Sequence, residues 1–143
     1  MESLFRVLVV DDFGPWRRLM CDILQERPNL RIISEATDGM EAVQKASELQ
    51  PDLIILDIGL PTMNGIEAAR RIRNLAPNSK ILFLSENYSG DIAKGALATG
   101  GQGYVIKSDA GIELLAAVDA VLLGKQFVSA RLADQVFPGV RNS

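Results

Sequence analysis

The chain has 143 residues, 48% of them hydrophobic and 23% charged, which is the composition of one globular domain, and no apolar run approaches the length of a membrane span. Its net charge of −3, with no basic run, argues against nucleic acid as a direct partner. With Cys21 as the single cysteine and no histidine, it can build no intrachain disulfide, thiolate zinc cluster, Ser/His/Asp triad, His-ligated metal or phosphohistidine.

The opening stretch, MESLFRVLVVDD, has neither a basic n-region nor a small-residue cleavage site, so the chain reads as cytoplasmic. From there, short β-rich runs alternate five times with segments of helical period. That is the pattern of an α/β fold, a doubly wound parallel sheet of five strands and five helices. Strand 1 is predicted over 5–10. A helix stripe of Trp16, Leu19, Met20, Ile23 and Leu24 follows and is ended by Pro28. Strand 2 covers 31–36, and Asp38 is placed to cap a helix bearing Met40, Val43 and Ala46. Strand 3, 53–56, leads to a helix marked by Ile66, Ala69 and Ile72. Strand 4, 80–85, leads to one marked by Ile92, Ala96 and Leu97. The runs RVLVV, LIIL and ILFL are continuously apolar, as expected of strands buried on both faces. Strand 5 covers 102–106, and helix 5 runs from about 111 to 123 behind Ser108 or Asp109 as cap. The domain is predicted over 1–124. Residues 125–143 form a C-terminal extension or truncated linker, with an amphipathic SARLADQVF and a polar PGVRNS that should fray.

Ligands of open α/β sheets bind outside the carboxyl ends of the strands, where the strand order reverses. Asp11 and Asp12 directly follow strand 1 and Asp57 directly follows strand 3, and in the order 2-1-3-4-5 these strands flank the reversal. Any one of these acids alone reads as a helix cap or a loop residue. Three together would raise one another's pKa unless a divalent cation relieved the repulsion, and a hard, oxygen-held ion such as Mg²⁺ suits them. Ser85 closes strand 4 and Lys107 closes strand 5. A cation, an ammonium and a hydroxyl together make a receptor for phosphoryl oxygens, with Asp57 as the nucleophile that forms an acyl phosphate.

The motifs VLVVDDFGPWRR, LIILDIGLPTMNGIEAARRIR, ILFLSE and GYVIKS, in this order and spacing over roughly residues 5–123, resemble the receiver domain of two-component response regulators. The resemblance implies a flavodoxin-like fold and a protein that catalyses only its own phosphorylation and dephosphorylation. It implies that Asp12 and Asp57, with the carbonyl of Gly59, ligate Mg²⁺ directly and that Asp11 acts through water. Lys107 would pair first with the acid and then with the phosphoryl group. Ser85 would move to bond that group, and Tyr104 would swing inward behind it. The donor would be a phosphohistidine on a sensor histidine kinase or a histidine phosphotransfer protein.

Two departures from the family pattern stand out. Ser108 replaces the usual proline after the lysine, so a trans peptide is expected there, and Glu86 replaces a small residue after the switch hydroxyl. LLGKQFVSARLADQVF resembles the end of receivers in LuxR-type helix-turn-helix regulators, so the chain stands alone or is the excised receiver of a DNA-binding regulator. An aspartyl-nucleophile phosphatase of the haloacid-dehalogenase kind is the other alternative. It would want a second aspartate at position 59, where Gly59 has no proton to give. In helix 5, Leu114, Leu115, Val118, Val121 and Leu122 form a face for the sheet. Ile112, Ala116, Ala120 and Leu123 form a second apolar stripe, either covered by Phe127, Leu132 and Val136 of the tail or left open as a homodimer or output-docking surface.

Overall fold

The computed structural model describes residues 4–137. Strands β1 (Phe5–Val10), β2 (Leu30–Ala36), β3 (Leu53–Asp57), β4 (Lys80–Ser85) and β5 (Gly103–Ile106) are parallel and lie in the order β2-β1-β3-β4-β5. The chain starts in the middle of the sheet, builds outward to β2, then crosses back to β3. The reversal therefore falls between β1 and β3, where Val10 pairs with Leu56 and the two chains end side by side.

Alternation along the strands divides the core between two faces. Val7, Val9, Leu53 and Ile55 turn toward α1 (Gly14–Leu24) and α5 (Ala110–Leu122), meeting Met20, Leu24, Leu114 and Val118. Leu8, Val10, Ile54 and Leu56 turn toward α2 (Gly39–Leu49), α3 (Gly65–Leu75) and α4 (Gly90–Ala98), meeting Ala46, Ile72 and Ala96. Each fully buried Leu or Ile contributes about 1.5–3 kcal/mol, so this sheet is a stiff platform for whatever its ends carry.

The caps follow local chemistry. Asp38 accepts from Glu41 N at 2.8 Å while Glu41 Oε1 accepts from Thr37 N at 2.6 Å, a reciprocal box that starts α2. Asn64 and Ser89 cap α3 and α4 by accepting from Glu67 N and Ile92 N, without a return bond. The expected side-chain cap on α5 is not made. Lys107–Asp109 forms a 3-10 turn in which Ala110 N donates to Lys107 O, and Asp109 pairs with Arg131 at 2.8 Å instead.

The five-strand expectation is corrected by a short sixth strand. β6 (Phe127–Val128) runs parallel to β5 at the edge of the sheet, and α6 (Ala133–Val136) follows a 3-10 turn at Ala130–Leu132. The SARLADQVF piece is thus split between a turn and one helical turn, and PGVRNS lies outside the described residues. Two side chains read as core are exposed: Leu19 on α1 and Met40 on α2. The buried residues of these helices are Met20 and Leu24 on α1, both in the predicted stripe, and Gly39, Ala42 and Ala46 on α2. No helix among the described residues is long and apolar enough to cross a membrane.

Candidate functional site

Asp11, Asp12, Asp57, Ser85 and Lys107 come together at the carboxyl ends of β1, β3, β4 and β5. Asp12, Asp57, Ser85 and Lys107 line a cleft of about 470 Å³ together with Phe13, Trp16 and Glu86. A volume of that size is at the lower end for small-ligand sites and ample for a phosphoryl group. Lys107 Nζ stands 2.8 Å from Asp11 Oδ2 and 3.3 Å from Asp57 Oδ2, all three side chains being nearly inaccessible to solvent. Asp57 Oδ1 accepts from Gly59 N at 3.2 Å, and the Asp57 Oδ2 edge is the one facing the lysine.

Burial pushes the Asp57 carboxyl up from its ordinary pKa. Lys107 and the Gly59 hydrogen bond pull it down, Asp11 pushes it up, and the net direction is up. Burial also opposes the Lys107 ammonium, yet the Asp11 hydrogen bond and the two carboxylate charges outweigh it and hold that pKa above the ordinary lysine value. The lysine is therefore a cation at neutral pH, with two carboxylates facing it. Asp11, Asp12 and Asp57 each present one oxygen within 4.8 Å of the others. This all-oxygen set fits a hard divalent cation, with Asp12 exposed at the mouth and Gly59 on the same rim.

Several supporting residues carry no sequence signal of their own. Asp11 is fixed by two further hydrogen bonds: Phe13 N donates to Oδ1 at 2.9 Å and Arg17 Nη1 donates to its carbonyl at 2.8 Å, with Arg17 itself held by Glu35. Trp16, read as part of a core stripe, stacks under Lys107 with Nζ 5.4 Å from the ring centroid, within cation–π reach. As the single tryptophan it is also a fluorescent probe of the cleft. Asn87 links the two switch candidates: its N–H donates to Ser85 Oγ at 3.0 Å, and its carbonyl accepts from Tyr104 OH at 3.2 Å. Tyr104 is fully buried, so it already occupies the inward position. No peptide among the described residues is cis, so Lys107–Ser108 is trans, as the missing proline implies.

The one thiol is no rival nucleophile. Burial, with Glu35 and Asp22 nearby, pushes Cys21 up to about 11. Alkylation by iodoacetamide at pH 8 is expected to be about two orders of magnitude slower than for a free thiol and to rise about tenfold per pH unit until that value is reached. A rate equal to that of free cysteine would contradict the burial of Cys21.

Residues 7–119 match the family described as the response regulator receiver domain, and the chain belongs to that family. It is 31% identical over 140 residues to the transcriptional regulatory protein LiaR of Bacillus subtilis, covering 98% of this chain and 66% of LiaR. It is 40% identical over 114 residues to a protein-glutamate methylesterase/protein-glutamine glutaminase of Thermotoga maritima, covering 79% of this chain and 33% of that protein. The chain thus spans less than two thirds of the length of either relative. The crystal structure of a LuxR-family two-component response regulator from Aurantimonas sp. SI85-9A1 superposes with a TM-score of 0.89 at 33% identity, covering 94% of this chain and 96% of that one.

Proposed function

We propose that Asp57 is the phosphoacceptor of a two-component signalling switch, and the observation that carries this is the Lys107 ammonium set against Asp57 and Asp11 at one rim of the sheet. An Asp57 carboxylate oxygen attacks the phosphorus of a phosphohistidine on a sensor kinase or histidine phosphotransfer protein. The P–O bond forms as the P–N bond breaks, and the departing imidazole takes up a proton. Asp12, Asp57 and the Gly59 carbonyl would hold Mg²⁺ directly and Asp11 through water, and the ion supplies charge neutralisation for phosphoryl oxygens. Lys107 stays cationic and moves its pairing from Asp57 to the phosphoryl group. Ser85, whose Oγ accepts from the Asn87 N–H, donates its own hydroxyl proton to that group. We place this switch in the cytoplasm, upstream of a transcriptional output as in the relatives named as regulators.

Turnover separates this reading from an aspartyl phosphatase. With acetyl phosphate and Mg²⁺ the chain is expected to take up one phosphoryl group and lose it slowly. Release of many phosphates per chain at a steady rate would mean a hydrolase, for which Gly59 provides no general acid.

Glu86 is exposed on the rim of the cleft, one residue beyond Ser85. Its charge repels an incoming phosphodonor or hydroxide, so Glu86→Ala is expected to speed labelling or dephosphorylation. Rates that both stay within about twofold of wild type, less than roughly 0.4 kcal/mol of barrier, would remove Glu86 from the account.

The second stripe of α5 is open: Ile112 is 88% and Leu123 75% exposed, and although Ser129 and Ala130 bond to Glu113, Leu132 and Val136 pack with Tyr104 and α4 on the other face of the sheet. We assign this stripe, with Ala116 and Ala120, to a second copy of the chain in a two-fold interface. Beryllofluoride, which stands in for the phosphoryl group, is expected to increase the dimer fraction in sedimentation, partially if the two conformations differ little in energy. Ala116→Glu is expected to abolish it. A monomer in all conditions, with Ala116→Glu folded, would leave the stripe without this role.

A further inference from the structure

Residues 127–137 run back along the otherwise open edge of β5 and close over Tyr104. Phe127 N donates to Gln102 O at 3.0 Å and Ser129 N to Tyr104 O at 2.9 Å, which sets Val128 beside Tyr104. Ser129 is completely buried. Its Oγ accepts from Ile106 N at 2.8 Å and donates to Glu113 Oε1 at 2.6 Å, while Glu113 Oε2 accepts from Ala130 N at 3.0 Å. At the far end, Gly90 N at the start of α4 donates to Gln135 Oε1 at 3.1 Å. Val128 and Leu132 share a core cluster with Tyr104, Ala93 and Ala96, and Val136 and Phe137 pack against it.

We propose that this segment is a lid that holds Tyr104 inward and, through the Asn87 carbonyl, holds the loop after Ser85 in the arrangement that receives a phosphoryl group. The proposal rests on the phosphoacceptor reading above. The path is continuous: the lid to Tyr104, Tyr104 OH to Asn87 O, Asn87 N–H to Ser85 Oγ, and Ser85 to the cleft. Gln135 grips the same loop where it enters α4, three residues beyond Asn87. Tyr104 cannot turn outward while Val128 and Leu132 lie against it, so the docked lid and the inward ring form one state. If that state also binds the phosphoryl group better, linkage requires phosphorylation to tighten the lid by the same factor by which the lid tightens the site. A two-residue strand and a single helical turn do not persist on their own. The lid's hold is therefore set by a few polar anchors, Glu113 and Gln135 foremost, and by the buried Val128 and Leu132.

Beryllofluoride titrated into the full chain at saturating Mg²⁺, followed by Trp16 fluorescence, reads the affinity of the phosphoryl position. Gln135→Ala and, separately, Glu113→Ala are each expected to weaken it at least about fivefold while Mg²⁺ affinity stays within roughly twofold of wild type. In wild type, amide exchange at Phe127 and Ser129 is expected to slow when beryllofluoride binds. Unchanged affinity in both variants, or exchange that is unchanged or faster on binding, would overturn the coupling. A wild-type chain that binds Mg²⁺ but never responds to beryllofluoride would overturn the phosphoacceptor reading first and the lid with it.

Discussion

Asp57→Asn is expected to abolish labelling by a small phosphodonor, and removal of divalent cation by a chelator is expected to do the same to the wild-type chain. The amide keeps the shape of the carboxylate but loses the nucleophilic charge, and no neighbour can take over. Asp11 is held by Phe13 N and Arg17 and paired with Lys107, Asp12 is out at the mouth, and Cys21 stays protonated. Without the cation, three carboxylates and an incoming phosphoryl group share a single lysine, a balance of charge that disfavours approach. The expected loss in both cases is to the limit of detection, on the order of a thousandfold or more. Labelling that survives Asp57→Asn would move the acceptor elsewhere, and labelling that survives chelation would mean that the acids need no metal.

Gly65→Ala is expected to damage stability and function together. A Cβ there would lie 2.2 Å from Asp57 O and 2.8 Å from Ile58 Cα, both backbone atoms of the strand end that carries the acceptor. Gly65 N also donates to Ile58 O at 2.8 Å, so α3 begins in direct contact with the site. Relief requires the strand end or the helix to move, at a cost of about 1–3 kcal/mol in urea unfolding. A shift of even an ångström at Asp57 is expected to slow labelling at least about tenfold. Gly95→Ala is the matched control, since nothing lies within 4 Å of its added Cβ in the middle of α4, and it is expected to gain roughly 0.4–1 kcal/mol. Equal stabilities for the two variants would show that Gly65 has more room than the backbone contacts allow.

The sequence made the site legible because apolar runs fix where buried strands end, and the polar residues just beyond them have only one edge to occupy. Asp11, Asp57, Ser85 and Lys107 were placed by that rule, and Asp38 by its position before a helical stripe. The order of the strands and the roles of Gly59 and Tyr104 came from resemblance, not from pattern. What pattern could not show is non-local. Phe127–Val128 is too short to announce a strand, and it is one only because β5 offers an open edge. The complete burial of Tyr104 depends on that pairing, so a residue expected to move inward is already covered. Trp16 packs against the α1 and α5 core as its helical stripe implies, and it also walls the cleft under Lys107, a second role that no helical period announces. On α5 the broad apolar face was read correctly at Leu114, Val118 and Val121. Leu122 is half-buried against the same core and Leu115 is half-buried, while Ala117, left out of that face, is fully buried.

Whether Asp57 is the acceptor is decided by locating the group on the protein. The full chain is incubated with acetyl phosphate and Mg²⁺, the acyl phosphate is reduced with borohydride to leave a homoserine, and the peptides are mapped by mass spectrometry. One converted position is expected, residue 57 in LIILDIGL, and none when Mg²⁺ is withheld. Conversion at Asp11 or Asp12, a stable phosphate on Ser85, or no modification at all under these conditions would contradict that assignment.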